Sequence, residues 1–281
     1  MIGAVLDNLR EFWIVHVLLV AYTLLMAYHA YAGNRETEGI EDYYIGGRGM
    51  GGLVLGLSFF ATYSSTNSFV GFSGRSYGWG VPWLLLVPFV VGFSLFSWTV
   101  VAPRLRVFTR SLDSLTVPDF IGFRFESTLA RVFGAVIVLF ASIFYMTAVF
   151  KGIGNLLDGF MGIPYRVAIG LIFVVVVAYT TVGGFISVTK TDAVQGIVMA
   201  IAAVLLFVGT VSAAGGLGSL GQIREATETA HLFDWGGGVA VPMLLGVLVA
   251  STIKFAVEPR QLARFYALEG AGATRTGTLV S

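Results

Sequence analysis

Residues 53–72, LVLGLSFFATYSSTNSFVGF, form a segment long enough to cross a bilayer, yet its centre is polar. Thr62, Ser64, Ser65, Thr66, Asn67 and Ser68 fill six of seven consecutive positions, framed by Gly56 and Gly71. Hydrocarbon offers no hydrogen-bond partner, so a spanning helix ordinarily keeps such side chains scarce and its own ladder intact. A cluster this dense predicts a helix that opens in mid-membrane. An opened helix frees backbone carbonyls, and hydroxyls beside them complete a cage of oxygens suited to a hard cation such as sodium. The competing reading is that these hydroxyls bond back to their own helix carbonyls and merely bend it. That suits isolated serines better than a run of this length.

The surrounding chain fits a membrane setting. It is 56% hydrophobic and only 12% charged, with a mean hydropathy of +0.84; a soluble domain carries about 25% charge. The apolar residues fall into blocks near the ~20 residues a bilayer demands. They predict an all-α polytopic membrane protein, one transmembrane domain over residues 1–281 with about seven transmembrane helices: 12–32, 52–73, 81–102, 131–154, 166–186, 192–214 and 239–259. The first ends in Ala30-Tyr31-Ala32, which resembles a signal-peptide cleavage site. Its apolar run is longer than a signal core, and Arg10 is accompanied by Asp7 and Glu11, so a retained helix is expected. Arg35, Arg48, Arg104, Arg106, Arg110, Arg124, Arg131, Lys190, Arg260, Arg264 and Arg275 fall on one side of this arrangement; Arg10, Arg75, Lys151, Arg166 and Arg224 fall on the other. The bias predicts a cell-membrane protein with its N-terminus outside and C-terminus inside.

Among the connections, 103–130 mixes arginines with Leu, Val and Phe and is expected to lie along the membrane surface, with Pro118 and Asp119 marking a helix start. In the outside loop 215–238, IREATETAHL is expected to form a short helix. Gly183-Gly184 suits a tight turn, and Gly52 and Gly56 the spacing that lets membrane helices approach closely. Trp79, Trp83 and Trp98 are expected to anchor segment ends at the interface. The chain has no cysteine, which excludes disulfides and thiolate metal sites. His16, His29 and His231 show no metal-ligand spacing. A net charge of +1 without a basic block gives no reason to expect nucleic acid, and no acid, base or metal groups are spaced for an enzyme.

Two charged residues stand out within or beside spans. Asp192 opens the 192–214 segment and suits an N-terminal cap beside Lys190. Lys254 lies inside 239–259 with Glu258 one turn on. It is placed to bind an anionic group, to snorkel toward the inner surface, or to pair with Glu258.

Motifs in order along the chain then carry a resemblance: GGRGMGG (46–52), ATYSSTNSFVGFSGRSYGWG (61–80), LTVPDFIGFRFES (115–127), GIPY (162–165), YTTVGGFISVTKTDAVQG (179–196) and PRQLARF (259–265). Over about residues 40–270 the chain resembles the sodium:solute symporter family of sodium-coupled proline, pantothenate and sugar carriers, with 162–217 nearest the pantothenate type. The resemblance implies two inverted five-helix repeats behind an extra N-terminal helix. Here 12–32 would be the extra helix, 52–214 the first repeat and 239–259 the first helix of the second. Four further core helices would lie outside the 281 residues, so the chain is expected to be a fragment that is inactive alone. The implied activity is symport of a small organic solute by alternating access within the lipid bilayer, with sodium as coupling ion and no other cofactor. By position, sodium-liganding carbonyls fall on Ala61 and Ser64, and Asp192 lies on the inner sodium path with Thr189 and Thr191 nearby. Ser65, Thr66, Asn67 and Ser68 would face the substrate cavity, as would Ser251, Thr252 and Lys254, the lysine suiting a carboxylate. Tyr63 stands where proline-type carriers place an aspartate, which weakens proline as the solute. Some members are transport-like modules fused to signalling kinases, so a sensor module is the alternative.

Overall fold

The computed structural model describes residues 10–65, 67–226, 228–235 and 238–281; Thr66 and the side chain of Asn67 lie outside the described residues. Helices joined by short turns make up most of the described chain. They are α1 (Trp13–Glu36), α2 (Ile40–Ile45), α3 (Gly52–Tyr63), α4 (Phe72–Trp79), α5 (Leu86–Phe96), α6 (Ala102–Ser111), α7 (Val117–Arg124), α8 (Thr128–Met161), α9 (Tyr165–Ala213), α10 (Ser219–Glu225), α11 (Val241–Thr252), α12 (Lys254–Val257), α13 (Pro259–Tyr266) and α14 (Ala271–Val280). Among the described residues, five stretches are long and apolar enough to cross a membrane: Trp13–Glu36, Val81–Ser111, Thr128–Met161, Tyr165–Ala213 and Val241–Tyr266. Gly52–Tyr63 is a shorter apolar helix.

Residues 166–186 and 192–214, expected as separate spans, are the two arms of α9. The 49-residue element is broken at Gly184, whose φ of 58° and ψ of −161° are not helical. Both arms lie along α1. A Cβ on Gly33 would come within 2.8 Å of the Gly183 carbonyl, His29 Nδ1 shares a 2.9 Å hydrogen bond with the Thr191 hydroxyl, and the Tyr22 hydroxyl donates to Gln195. The turn therefore falls at the Gly183-Gly184 pair. The second arm starts at residue 185, earlier than expected, so Asp192 lies two turns inside a helix and does not cap one.

Helix also continues further than expected after residue 102. A π-turn over Ser97–Val101 runs directly into α6, so 103–111 prolongs the spanning element and does not lie on the surface. Only α7 stands apart. Thr116 caps it, its hydroxyl accepting from the Asp119 N–H while the Asp119 carboxylate accepts from the Thr116 N–H. This reciprocal cap explains the helix start at Pro118-Asp119. In 215–238, IREATETAHL is divided between the end of α10 and a 3-10 turn at Ala230–Phe233.

A buried aromatic core joins α3, the Ser97–Val101 turn, α12 and α13. Phe59 stacks on Phe255 and Phe265, each with centroids 5.6 Å apart, and meets Trp98 edge-on at 5.4 Å. Trp98 is fully buried and Trp83 nearly so, which corrects their expected place at the interface. Gly277 makes room for Trp98: a Cβ there would collide with the indole. Gly52 likewise abuts the Ala273 backbone, and a Cβ on Gly56 would reach the Gly277 carbonyl at 3.0 Å. Since lipid tails are as apolar as leucine, such close backbone approach, and not apolar burial alone, holds membrane helices together.

Candidate functional site

The α3 ladder ends with the Ser64 N–H on the Phe60 carbonyl at 2.9 Å. Ser64 then turns extended, at φ −74° and ψ 100°. The chain resumes as a π-turn over Asn67–Gly71 that leads into α4. In a continuous helix the Tyr63 carbonyl would accept from residue 67; here the Ser68 hydroxyl donates to it at 2.9 Å. The Ser68 and Phe69 N–H groups share the Ser65 carbonyl. Thr62 bonds back to the Ser58 carbonyl at 2.8 Å. The polar cluster thus combines both sequence readings: Thr62 and Ser68 satisfy local backbone, while Ala61 and Ser64 are buried at a true opening.

A second helix opens opposite. After α11 the chain turns at Ile253, forms α12, and becomes extended at Glu258 (φ −75°, ψ 125°). Pro259 disfavours helical geometry in the residue before it and supplies no N–H. The Phe255 carbonyl, which would have accepted that N–H, instead accepts from the buried Ser97 hydroxyl at 2.5 Å. The helix resumes as α13, so Arg260 and Arg264, counted from sequence as loop residues, are helical.

Between the two openings and α8 lies a cavity of about 480 Å³, whose wall includes Ser65, Tyr145, Asn155, Lys254, Glu258 and Arg260. Lys254 Nζ sits 4.8 Å from the centre of the Tyr63 ring and takes part in no ion pair among the described residues. Glu258 pairs with Arg260, which also lies over the Tyr145 ring; of the three readings open for Lys254, the structure does not show pairing with Glu258. Two cations and one carboxylate leave this wall net positive. Thr252 is fully buried and donates to the Leu248 carbonyl of its own helix at 2.7 Å, so its hydroxyl does not face the cavity. Ser251 and Ser68 are half-buried and do not line it.

Asp192 belongs to a different cluster, one helix turn and more away from the openings. Its Oδ2 accepts from the Ser58 hydroxyl at 3.1 Å and from Arg264 at 2.7 Å. Arg264 Nε also donates to Ser58 Oγ at 3.1 Å, and its Nη1 donates to the Arg260 carbonyl. Sequence reasoning placed Asp192 but missed Arg264. The available signal was the Pro259 start followed by Arg260 and Arg264 four residues apart, interleaved with Leu262 and Phe265, which is a helical stripe. The buried Arg48, held by Glu41 and Asp113, was missed in the same way. Among the described residues no group of three or more His, Cys, Asp or Glu side chains gathers as for a metal ion.

A family model described as the sodium:solute symporter family matches residues 43–281. The chain is similar to the sodium/pantothenate symporter of Escherichia coli (strain K12), at 33% identity over 213 residues, covering 75% of this chain and 44% of the relative. It is similar to a high-affinity proline transporter of Bacillus subtilis (strain 168), at 32% over 254 residues, 87% of this chain and 51% of the relative. A sodium/proline symporter of Staphylococcus aureus is 27% identical over 243 residues, 80% of this chain and 47% of the relative. The chain spans about half the length of the curated relatives it matches.

Proposed function

We propose, for a chain that belongs to the sodium:solute symporter family, sodium-coupled symport of a small carboxylate-bearing solute across the cell membrane. The carrying observation is the pair of opened helices facing one cavity, with Lys254 on its wall in no ion pair among the described residues, the neighbouring Glu258 being paired with Arg260. The relatives' names describe transporters, which sets this family apart from enzymes. In this reading, the Ala61 and Ser64 carbonyls at the α3 break bind sodium, and Asp192 lies on the ion's inner path. Ser65, Thr66 and Asn67 form the solute side of the first opening and Lys254 that of the second, while Ser68, Ser251 and Thr252 stand off the cavity wall. Binding stabilises a state open to one face, and a helix bundle then rocks to expose both cargoes to the other. The voltage acts only on the net charge moved: one sodium with a monoanion is electroneutral and draws on the sodium gradient alone, whereas each further sodium adds about 2.3 kcal/mol per 100 mV, roughly a fifty-fold solute gradient.

The carboxylate follows from the net positive cavity wall, and the choice between the relatives' solutes follows from Tyr63. A zwitterion such as proline brings its own ammonium close to Lys254, where the neighbouring carboxylate, Glu258, is already paired with Arg260. Pantothenate, an anion without an ammonium, fits better. The test is uptake of labelled pantothenate and proline by cells expressing the protein, in sodium or in choline medium. Sodium-stimulated uptake, greater for pantothenate, is expected. Uptake indifferent to sodium would overturn the coupling.

A further inference from the structure

The cluster around Arg264 lies apart from the solute cavity. Ser58 is six residues before Ser64 along α3, and Arg264 six residues beyond Glu258, each about 9 Å at 1.5 Å per residue. We propose that Arg264 is the positioning residue of a gate: seated on Asp192 and Ser58, its guanidinium clamps α13 to α3 and to the second arm of α9, shutting the pathway on that face. This rests on the transport reading above, which requires each face to open and close.

Three observations carry it. The first is that one small cluster joins three separate elements. Ser58 Oγ donates to Asp192 and accepts from Arg264, which matches the capacity of a hydroxyl, so the three groups satisfy each other. The second is burial. Arg264 is 7% exposed and Ser58 fully buried, while the Asp192 side chain is 21% exposed. A charge pair at such depth gives little net stability, because desolvation offsets its attraction. Such a pair is better suited to a contact between elements that must separate than to holding the fold together. The third is the hinge. Arg264 rides on α13, joined to α12 through the extended Glu258 and Pro259. Rotation there carries the guanidinium away from Asp192 without disturbing α11. The other charged groups of this region are committed elsewhere: Lys190 to Glu36 and Arg260 to Glu258.

Arg264 is thus a tethered cation on the carboxylate proposed for the sodium path. At 2.7 Å from Oδ2 it occupies the position that an ion would take on that oxygen. Gate opening and ion access to Asp192 become one event, which ties release to the conformational change.

Because the chain has no cysteine, a single reporter can be introduced. Ala193 is buried beside Asp192, three residues before Gly196, which abuts the Leu57 carbonyl of α3. In the Ala193→Cys protein, the rate of reaction with a small charged thiol reagent is measured in open membrane fragments. Arg264→Gln should raise that rate roughly tenfold or more, and the exchange Asp192→Arg/Arg264→Asp should return it toward the parent value. An unchanged rate in Arg264→Gln at normal membrane insertion overturns the proposal. So does an exchange variant that inserts normally yet stays as reactive as Arg264→Gln. If Arg264→Gln fails to insert, the neutral double variant Asp192→Asn/Arg264→Gln decides by the same criterion, since it leaves no unpaired buried charge. The assay needs neither sodium nor solute, so its outcome is independent of whether sodium drives uptake.

Discussion

Lys254 and Arg264 show how alike residues on one broken helix take different work. The Lys254 ammonium rests on the Tyr63 ring, a contact worth about 0.5–2 kcal/mol. A charge-assisted bond to a carboxylate is worth about 1.5–3 kcal/mol, so an arriving anion competes well for it. Lys254→Met should accordingly cut uptake of a carboxylate solute roughly 10- to 100-fold, and uptake of its amide analogue much less. Equal loss for both would remove Lys254 from solute recognition. Lys254 was legible in the sequence because it interrupts an apolar run. Arg264 was not, because it follows a proline and other polar residues and so reads as loop; nothing local shows that α13 folds back into the protein against Phe59 and Trp98. Asp192 was found for its charge, but its partners on α3 and α13 are distant in sequence and could not be inferred.

At the level of elements, breaks were legible where local chemistry enforces them and obscure where tertiary contacts do. The Ser/Thr cluster announced the opening after α3, and Gly183-Gly184 the turn in α9. The partners that complete these features, such as the Ser97 hydroxyl on the Phe255 carbonyl, come from other helices. Helix α14 escaped notice because AGATRTGTLV has no apolar run; its small residues matter only against Gly52, Gly56 and Trp98. Gly184 offers the sharpest test. Its φ and ψ lie in a region open essentially to glycine, where another residue costs on the order of 1–3 kcal/mol. A Cβ would also press on the Tyr43 ring at 3.0 Å. Gly184→Ala should therefore lower the melting temperature of the purified protein and reduce its yield. Gly159→Ala, at a helical site with nothing within 4 Å of the added carbon, should leave both unchanged. Equal behaviour of the two variants would show that the turn does not depend on glycine.

Across the whole molecule the polar contacts divide it into two faces. One face gathers Glu36 with Lys190, Arg48 with Asp113, Asp119 with Arg131, and the bridge between Met50 and Leu268. Arg110 reinforces it by donating to the carbonyls of Arg48, Leu268 and Glu269. The opposite face brings Gly80 against Leu232 and Gly238 against Gly78 through backbone contacts, with no ion pair among the described residues there. The arginine-rich face is the one the sequence bias assigns to the inside, and folding adds a reason for the bias to persist, since several of these cations hold connections together. Orientation then becomes a single measurable property of the whole chain. Gly39 and Gly218 stand on opposite faces, each with nothing within 4 Å of an added Cβ and neither at a positive φ. On intact cells, an impermeant thiol reagent should label Gly218→Cys at once and Gly39→Cys only after permeabilisation. The reverse pattern would invert the orientation and turn the Arg264 gate toward the outside. Labelling of both on intact cells would mean that the two faces are not separated by the membrane, and the division into inner and outer halves would fail with it.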